Sequence, residues 1–361
     1  MKRIIALILA SAIAVSLAAC GGKEAASGKD FAGQTLYFYN PGEYIGENVL
    51  SGFEELTGCK VVMDEFESNE QMYIKIANGD KYDVIVPSDY MIERLMAEDR
   101  LQPLDQSLIT CRDKINPQVF GRMDFDPEQK YSIPFFWGTV GIVYDKRKVS
   151  EEDLKAEGYG IFADERYKGD VYLYDSERDM FMVALKHLGY SMNTDNEEEL
   201  NKAYEWLLNI VDTMDTEIVT DEIIDNMTQL RKSLGIMYSG DAVYAMAENE
   251  NVGFFMPDYG TNIWMDCMVI PKNAEHVELA HAFINYISDY TAAMDNSLTV
   301  GYTSPNLEVM NELYGGEYAG IDAYIPRVDN PSDEVFHYND KARKIIAELW
   351  AKVKVAASSA G

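Results

Sequence analysis

The sequence contains few of the residues that bind metals or cross-link chains: four cysteines and four histidines among 361 residues. No Cys-x-x-Cys pair occurs, and His276 and His281 stand five positions apart rather than the four that place two zinc ligands on one helix face. We therefore expect no metal site and no cofactor, and two solvated helix histidines. Cys59, Cys111 and Cys267 lack paired spacing, so we expect buried thiols or at most one disulfide.

Basic residues are scarce as well. The chain has 31 lysines and arginines against 61 aspartates and glutamates, which gives a formal charge of −30. This balance argues against nucleic acid as a partner, because contacts to phosphates need a basic surface. An acidic surface keeps an exported protein soluble, and its field also attracts small cations, an effect that salt weakens. The two interpretations are compatible.

Long apolar runs are missing after the first twenty residues, so we expect no transmembrane span beyond them. Lys2 and Arg3 precede an apolar run from Ile4 to Val15, which is too short to span a bilayer and is typical of a secretory signal peptide. Residues 17–21 read Leu-Ala-Ala-Cys-Gly and resemble a bacterial lipobox, in which cleavage leaves Cys20 as the lipid-bearing amino terminus. An ordinary signal peptide followed by a chance cysteine is the alternative.

These features predict how the first thirty residues are used. We assign residues 1–19 to a signal peptide and residues 20–30 to a lipidated cysteine with a flexible tether rich in Gly, Ala and Ser. Removal of residues 1–19 takes two basic and no acidic residues, which leaves 29 basic and 61 acidic residues and a charge of −32. We expect an exported protein, lipid-anchored to the outer face of the cytoplasmic membrane, or on the periplasmic side if the source has an outer membrane. It would touch the membrane through the lipid only.

The rest of the chain alternates strands and helices in two blocks. In the first block, we predict strands at Leu36–Tyr39, Lys60–Phe66 and Asp83–Val86, and helices at Glu47–Thr57, from the cap Ser68 to Ala77, and from Pro87 to about Glu98. Two extended segments around Trp137 and Gly138 follow, and the second block repeats the pattern from Asp170 to Met256. Successive strand-helix units predict a parallel sheet covered by helices, with ligands where strands end and helices begin.

Two such blocks predict an α/β protein with two lobes joined by extended segments, which is the plan of a hinged clamp. We assign residues 31–139 with 265–310 to one lobe and residues 140–264 with 311–361 to the other. Ligands of such proteins bind in the cleft between the lobes and favour the closed state. No low-complexity segment or short-period repeat interrupts this plan, which argues against a solenoid.

Trp264 and Asp266 stand two residues apart in the apolar stretch from Asn262 to Pro271. In an extended segment, residues i and i+2 project from the same face, so the indole and the carboxylate would line one surface. The indole face attracts an organic cation and covers its methylenes, while the carboxylate makes a charge-assisted hydrogen bond. The alternative is a tryptophan in the core beside an aspartate that caps a loop.

Several short segments occur along the chain in one known order. They are Tyr37-Phe38-Tyr39-Asn40 with Glu43-Tyr44, Glu67-Ser68-Asn69-Glu70, Tyr82-Asp83-Val84-Ile85-Val86-Pro87-Ser88, Ser132-Ile133-Pro134, Leu188-Gly189-Tyr190, Trp264-Met265-Asp266 and Gly301-Tyr302. In this order they resemble the bacterial spermidine/putrescine-binding proteins of polyamine ABC importers, from about residue 34 to residue 350. The resemblance implies a type II periplasmic-binding-protein fold, a polyamine held between aromatic walls and carboxylates, and the importer's permease and ATPase subunits as partners. It implies a monomer without enzymatic activity.

The resemblance also implies which residues contact the ligand. They are Glu43, Tyr44, Ser88, Tyr90, Asp179, Tyr238, Trp264, Asp266 and Tyr302. By matching position, Trp264 would stack on the methylenes and Asp266 would bind an ammonium group. Ser88 could instead cap its helix, and Tyr44 and Tyr90 could be core aromatics.

Asp179 follows Ser176 in the pattern of a capping box, so a helix cap is its alternative role. Three positions depart from the family pattern: Pro41 and Tyr238 stand where the family has tryptophan, and Ser176 replaces an aspartate. A lost carboxylate reduces support for a third positive charge, because a buried ammonium without a partner is costly. We therefore favour putrescine over spermidine.

Two other functions stay open at this point. A protein of the same fold could bind another amine, an amino acid, a sugar or a ferric ion, although a ferric site would need clustered Tyr, His and carboxylate ligands. An exported hydrolase could use Asp266 and Asp179 as an acid/base pair. No nucleophile elbow, metal motif or phosphate loop is present in the sequence to favour an enzyme.

Overall fold

The computed structural model describes residues 31–360. The predicted signal peptide and the lipidated Cys20 with its tether lie outside the described residues. The strands are β1 (Thr35–Pro41), β2 (Lys60–Phe66), β3 (Val84–Ile85), β4 (Ser132–Asp145), β5 (Tyr172–Tyr174), β6 (Glu217–Val219), β7 (Leu234–Tyr238), β8 (Val252–Phe255) and β9 (Ile263–Val269).

Helices follow or precede these strands along the chain. They are α1 (Val49–Thr57), α2 (Asn69–Asn78), α3 (Asp89–Ala97), α4 (Pro117–Phe120), α5 (Glu151–Glu157), α6 (Glu177–His187), α7 (Glu197–Thr213), α8 (Glu222–Thr228), α9 (Ser239–Glu248), α10 (Val277–Ile287), α11 (Tyr290–Val300), α12 (Leu307–Gly315) and α13 (Asp340–Ala360). Short 3-10 turns occur at 112–114, 158–163, 165–167 and 322–324.

Seven strands form one continuous sheet in the order β2-β1-β3-β9-β4-β7, with β8 pairing beside β4. Strands β1, β2 and β3 run parallel, as the strand-helix alternation of the first block predicted, whereas β9 is antiparallel to both β3 and β4. Strands β5 and β6 form a separate parallel pair. The carboxyl ends of the parallel strands β1 and β3 lie at one edge of the sheet, and a ligand is expected at this edge.

Strand β4 joins the two parts of this sheet. Its residues 132–139 pair with β9, and its residues 140–145 pair with β7 and β8. We name the part with β1, β2, β3 and β9 the first lobe and the part with β5 to β8 the second lobe. The lobe boundaries given above in residue numbers stay a prediction.

The prediction of two extended segments around Trp137 and Gly138 was wrong, since β4 is one buried strand of 14 residues with a register shift between Pro134 and Phe136. Gly138 keeps the strand continuous by lacking a side chain. A Cβ atom there would lie 2.5 Å from the indole of Trp264, its partner on β9. The two strands can therefore run past each other only with glycine at this position.

Local sequence signals set several helix ends. The Ser68 hydroxyl accepts a hydrogen bond from the backbone of Gln71 at the start of α2, and Gly79 ends that helix in the left-handed conformation at φ +93°. Helix α8 ends at Thr228, and the backbone turns left-handed at Leu230 with φ +51°. The short helices α4, α5 and α12 were not predicted.

The cysteines agree with the prediction of buried thiols, whereas His281 does not agree with the prediction of a solvated histidine. Cys59, Cys111 and Cys267 are buried free thiols. His281 is buried and not solvated as predicted, because its Nε2 accepts the backbone N–H of Asp105 at 2.9 Å. Within residues 31–360 no three His, Cys, Asp or Glu side chains are grouped to hold a metal ion. In the same range no helix is both long and apolar enough to cross a bilayer.

Candidate functional site

A cavity of about 710 Å³ lies between the two lobes. The first lobe contributes the segments around α2, α3 and β9, and the second lobe contributes β7 and the start of α6. Eight of the nine residues predicted to contact a ligand line this cavity: Tyr44, Ser88, Tyr90, Asp179, Tyr238, Trp264, Asp266 and Tyr302. Residues that lie up to 258 positions apart in the chain are thus brought together.

Glu43 is the predicted residue that the structure does not bring to the cavity. It is exposed on the turn that leaves β1, with a left-handed backbone at φ +54°. Its neighbour Tyr44 is buried and lines the cavity. The turn therefore places Tyr44 at the cavity and leaves Glu43 exposed to solvent.

Asp266 on β9 is held by two hydroxyl groups of the first lobe. The hydroxyl of Tyr44 donates to its Oδ2 at 2.7 Å, and the hydroxyl of Ser88 donates to its Oδ1 at 2.6 Å. Ser88 occupies the N-cap position of α3 but its side chain makes no capping hydrogen bond. Burial raises the pKa of Asp266, and the hydrogen bonds from Ser88 and Tyr44 oppose this rise. Asp266 is partly buried, and its carboxylate forms no ion pair among the described residues.

Asp179 uses its backbone and its side chain for different purposes. Its N–H donates to the hydroxyl of Ser176 at 3.3 Å, so Ser176 caps α6 as the capping-box pattern predicts. The carboxylate does not complete that box, because the N–H of Ser176 donates to the carbonyl of Tyr174 at 2.8 Å. Instead, the hydroxyl of Tyr238 donates to Oδ2 of Asp179 at 2.7 Å. Burial raises the pKa of this carboxyl as well.

An aromatic wall stands between these two carboxylates. The indole N–H of Trp264 donates to the carbonyl of Thr139 at 3.2 Å, which fixes the ring against β4. Its ring centre lies 5.3 Å from that of Tyr302 and 6.0 Å from that of Tyr238, while the Tyr44 and Tyr302 centres are 5.5 Å apart. Such a wall can cover the methylenes of an alkylammonium ion.

Asp241 is a carboxylate that was not predicted from the sequence; it contacts the cavity residue Tyr302 and does not itself line the cavity. It lies in the first turn of α9, three residues after Tyr238, and accepts a hydrogen bond from the hydroxyl of Tyr302 at 3.0 Å. Burial raises the pKa of Asp241 to about 7 despite this hydrogen bond. Its place shortly after the end of β7 was the signal available in the sequence.

Asp89 is a second missed carboxylate, and its role is to join α3 to β9. It is buried, and it accepts the backbone N–H groups of Tyr90 at 2.7 Å and of Met265 at 3.1 Å. Burial raises the pKa of Asp89 to about 8. Met265 lies between Trp264 and Asp266, which together form the floor of the cavity. The hydrogen bond from Met265 to Asp89 therefore holds this floor in place.

Resident cations occupy other parts of the cavity wall. The guanidinium of Arg178 lies over the Tyr90 ring and pairs with Glu70 at 3.5 Å, and Glu70 also accepts the Tyr90 hydroxyl at 3.3 Å. At another edge, Lys354 of α13 pairs with Asp175 at 3.0 Å. Glu70 and Asp175 are thus paired with cations, whereas Asp266 and Asp179 form no ion pair among the described residues. The charge of Arg178 nevertheless opposes the rise in the pKa of Asp179.

The arrangement therefore favours a guest with two positive charges joined by an apolar chain. Asp179 is buried and Asp266 is partly buried, and among the described residues both carboxylates accept hydrogen bonds from hydroxyl groups. A buried carboxylate gains most from a cation, because charge-assisted hydrogen bonds are about twice as strong as neutral ones. Trp264 between them offers an aromatic surface and no charge.

Comparison with known proteins agrees with this chemistry. Residues 49–317 match the family described as bacterial extracellular solute-binding protein. A spermidine/putrescine-binding periplasmic protein of Escherichia coli strain K12 is 32% identical over 352 residues, which cover 96% of this chain and 97% of that protein. The spermidine/putrescine-binding periplasmic protein 1 of Haemophilus influenzae is 30% identical over 323 residues, covering 87% of this chain and 88% of that one.

A solved structure shares the fold as well as the sequence. The spermidine/putrescine ABC transporter substrate-binding protein of Streptococcus pneumoniae superposes with a TM-score of 0.77 at 35% identity, over 90% of this chain and 99% of that one. The likeness extends over both lobes, and the predicted two-lobed solute-binding fold is thereby confirmed.

Proposed function

Because this chain belongs to the family of bacterial extracellular solute-binding proteins, we propose that it is the substrate-binding protein of a polyamine ABC importer. It captures putrescine or spermidine in the cavity between the lobes and delivers the amine to the importer's permease. The observation that carries this proposal is the pair of cavity-lining carboxylates, Asp266 and Asp179, which accept only hydroxyl hydrogen bonds and flank the aromatic wall of Trp264. The names of the relatives support the same substrate class.

In the proposed complex, each end of the amine meets one lobe. Asp266 accepts the ammonium at the first-lobe end, together with Tyr44 and Ser88, and Asp179 accepts the other ammonium together with Tyr238. Trp264 covers the methylenes between them, and Tyr302 adds an aromatic edge. Binding to both lobes at once favours the closed clamp, because a ligand shifts a conformational equilibrium by its differential affinity for the two states.

The rest of the importer follows from this role. We infer that the protein is exported, processed before Cys20 and held by lipid at the membrane surface, where it meets the permease and ATPase subunits. It acts as a monomer and as a binding protein without catalysis. Pro41, Ser176 and Tyr238 weaken the family's aromatic and acidic pattern, and on that ground putrescine is preferred to spermidine.

A thermal-shift panel tests the proposal. The purified protein is heated with putrescine, spermidine, amino acids, sugars and ferric citrate, and only a ligand that binds the folded state raises the melting temperature. Putrescine and spermidine should raise it in a concentration-dependent manner, and the other compounds should leave it unchanged. A larger shift with a sugar, an amino acid or ferric ion would show that another guest occupies this fold.

A further inference from the structure

Asn262 is a polar residue of the cavity wall that the proposed binding mode does not use. It lies just before β9 and is 2% exposed, and it lines the cavity together with Trp264 and Asp266. Its side-chain oxygen has no hydrogen-bond partner in the described part of the chain. This oxygen is enclosed by the protein, and a buried polar atom without a partner is costly. Rotation of the amide to present the oxygen to a bound group therefore gains a hydrogen bond that the protein itself leaves unmade.

Asn262 lies on the same face of the extended segment as Trp264 and Asp266. Its backbone is extended, since its carbonyl accepts the N–H of Val140 at 3.2 Å and it bridges to Glu334. Residues i, i+2 and i+4 of an extended segment project from the same side, which puts Asn262, Trp264 and Asp266 in one row. At about 3.3 Å per residue, the row is about 13 Å long between its outer Cα atoms.

The row runs from the first lobe to the second. Asp266 at one end contacts Tyr44 and Ser88 of the first lobe. At the other end, Thr261 precedes Asn262. The hydroxyl oxygen of Thr261 lies 3.9 Å from the sulfur of Met182 on α6, which is the helix that carries Asp179. Asn262 is therefore the polar group of this strand farthest from the ammonium proposed at Asp266.

The length of the row compares with the length of polyamines. Extended C–C and C–N chains place the two nitrogens of a four-carbon diamine about 6 Å apart and the outer nitrogens of spermidine about 11 Å apart. A diamine held at Asp266 ends near Trp264, where Tyr238 holds Asp179. A triamine held at Asp266 extends one further step, to the level of Asn262.

We propose that Asn262 accepts a hydrogen bond from the third nitrogen of a triamine and thereby sets how well the site accepts spermidine. The inference rests on the proposed polyamine function. A half-turn about the terminal torsion exchanges the amide oxygen and nitrogen, and no hydrogen bond of the described residues is lost in that exchange. An amide oxygen is a neutral acceptor, so it supports the third nitrogen less strongly than a carboxylate does.

Titration calorimetry with putrescine and spermidine on the wild type and on Asn262→Leu tests this inference. Leucine has a similar size and no acceptor, so we expect spermidine to bind about fivefold to tenfold more weakly, the range of one lost hydrogen bond, and putrescine to stay within about twofold. Equal losses for both amines, or no loss for spermidine, would contradict the inference.

A second variant keeps the test decisive if leucine disturbs folding. Asn262→Asp supplies a charged acceptor at the same position, and it should tighten spermidine relative to putrescine by at least tenfold; an unchanged ratio contradicts the inference. Binding of the two amines to the wild type distinguishes failure of this inference from failure of the proposed function. Binding of putrescine without spermidine refutes the role of Asn262 alone, whereas binding of neither amine refutes the proposed function as well.

Discussion

The guanidinium carbon of Arg178 lies 3.3 Å from the centre of the Tyr90 ring, so a cation of the second lobe covers an aromatic face of the first lobe. The same arginine pairs with Glu70 of α2 at 3.5 Å. Tyr90 was predicted to contact the ligand, and it does line the cavity, but its ring already has a partner. This pair of residues therefore joins the lobes beside the site and is expected to stabilise the closed clamp.

Replacement of Arg178 tests that role. Arg178→Lys keeps the charge but loses the planar group that stacks on an aromatic ring. We expect putrescine affinity to fall by about 0.5–2 kcal/mol, the range of a cation–π contact, because closure loses one of its contacts. Calorimetry measures the affinity, and the radius of gyration from X-ray scattering at saturating putrescine reports closure.

Tyr90→Phe is the matched control for this prediction. It keeps the ring under Arg178 and removes only the hydroxyl that donates to Glu70 at 3.3 Å. Affinity for putrescine should stay within about threefold of the wild type, since a solvent-reachable hydrogen bond of this length contributes little. A loss as large as that of Arg178→Lys would assign the effect to the hydroxyl and not to the stacked cation.

Asp266→Asn should remove most of the binding energy. One ammonium of the guest then meets a neutral amide in a desolvated place, and stranding one partner of a buried charge pair costs about 2–5 kcal/mol. Calorimetry with putrescine checks the size of the loss. Glu43→Gln is the control, because the structure leaves Glu43 exposed and outside the cavity, and its affinity should equal that of the wild type.

Asp266→Asn should weaken binding without lowering the stability of the ligand-free protein. Burial raises the pKa of Asp266, which means that the ligand-free fold holds this carboxylate at a cost. The Asn variant should therefore melt at the same temperature as the ligand-free wild type or above it. A melting temperature several degrees lower would show that Asp266 is mainly structural.

Ser176 and Asp179 can be separated by substitution. Ser176→Ala removes the cap of α6 and should lower the free energy of unfolding by about 1 kcal/mol with little change in putrescine affinity. Asp179→Asn keeps the backbone N–H that donates to Ser176 and removes the charge, so it should weaken binding at least tenfold with little change in stability. Denaturant unfolding and calorimetry on both variants check this. The reverse assignment of the two effects would make Asp179 a helix cap only.

Stability of the ligand-free protein should fall as pH rises. The folded pKa values of Asp241 and Asp89 are raised to about 7 and about 8, well above the 3.8 of an exposed aspartate. Between those values the folded state binds more protons than the unfolded state, so the stabilisation is present below pH 4 and is lost as pH rises through 7 and 8. Urea midpoints between pH 5 and 8 measure this slope, and Asp241→Asn should flatten it. An identical slope in that variant would contradict the assignment.

Part of this site could be predicted from the sequence because it is local. Trp264 and Asp266 stand on one face of a strand by simple alternation, and Ser68 and Gly79 bound α2 by their own side-chain and backbone chemistry. Such signals act within a few residues. They do not depend on how distant segments meet.

The rest could not be predicted because it depends on long-range packing. Ser88 stands at a helix start in the way that a cap does, yet its hydroxyl donates to Asp266, 178 positions away. The contact between Tyr302 and Asp241 likewise exists only once the two lobes face each other. Glu43 shows the converse, since it lies outside the cavity on a left-handed turn although the family resemblance implied that it contacts the ligand.

The most direct test of the central claim compares putrescine with n-butylamine, which has the same carbon chain and one ammonium. Titration calorimetry of the purified protein should give one saturable site for putrescine. It should give binding at least a hundredfold weaker for butylamine, because Asp179 or Asp266 is then left without a cation in a desolvated site. Butylamine affinity within about threefold of putrescine, or no saturable heat with either putrescine or spermidine, would contradict the account.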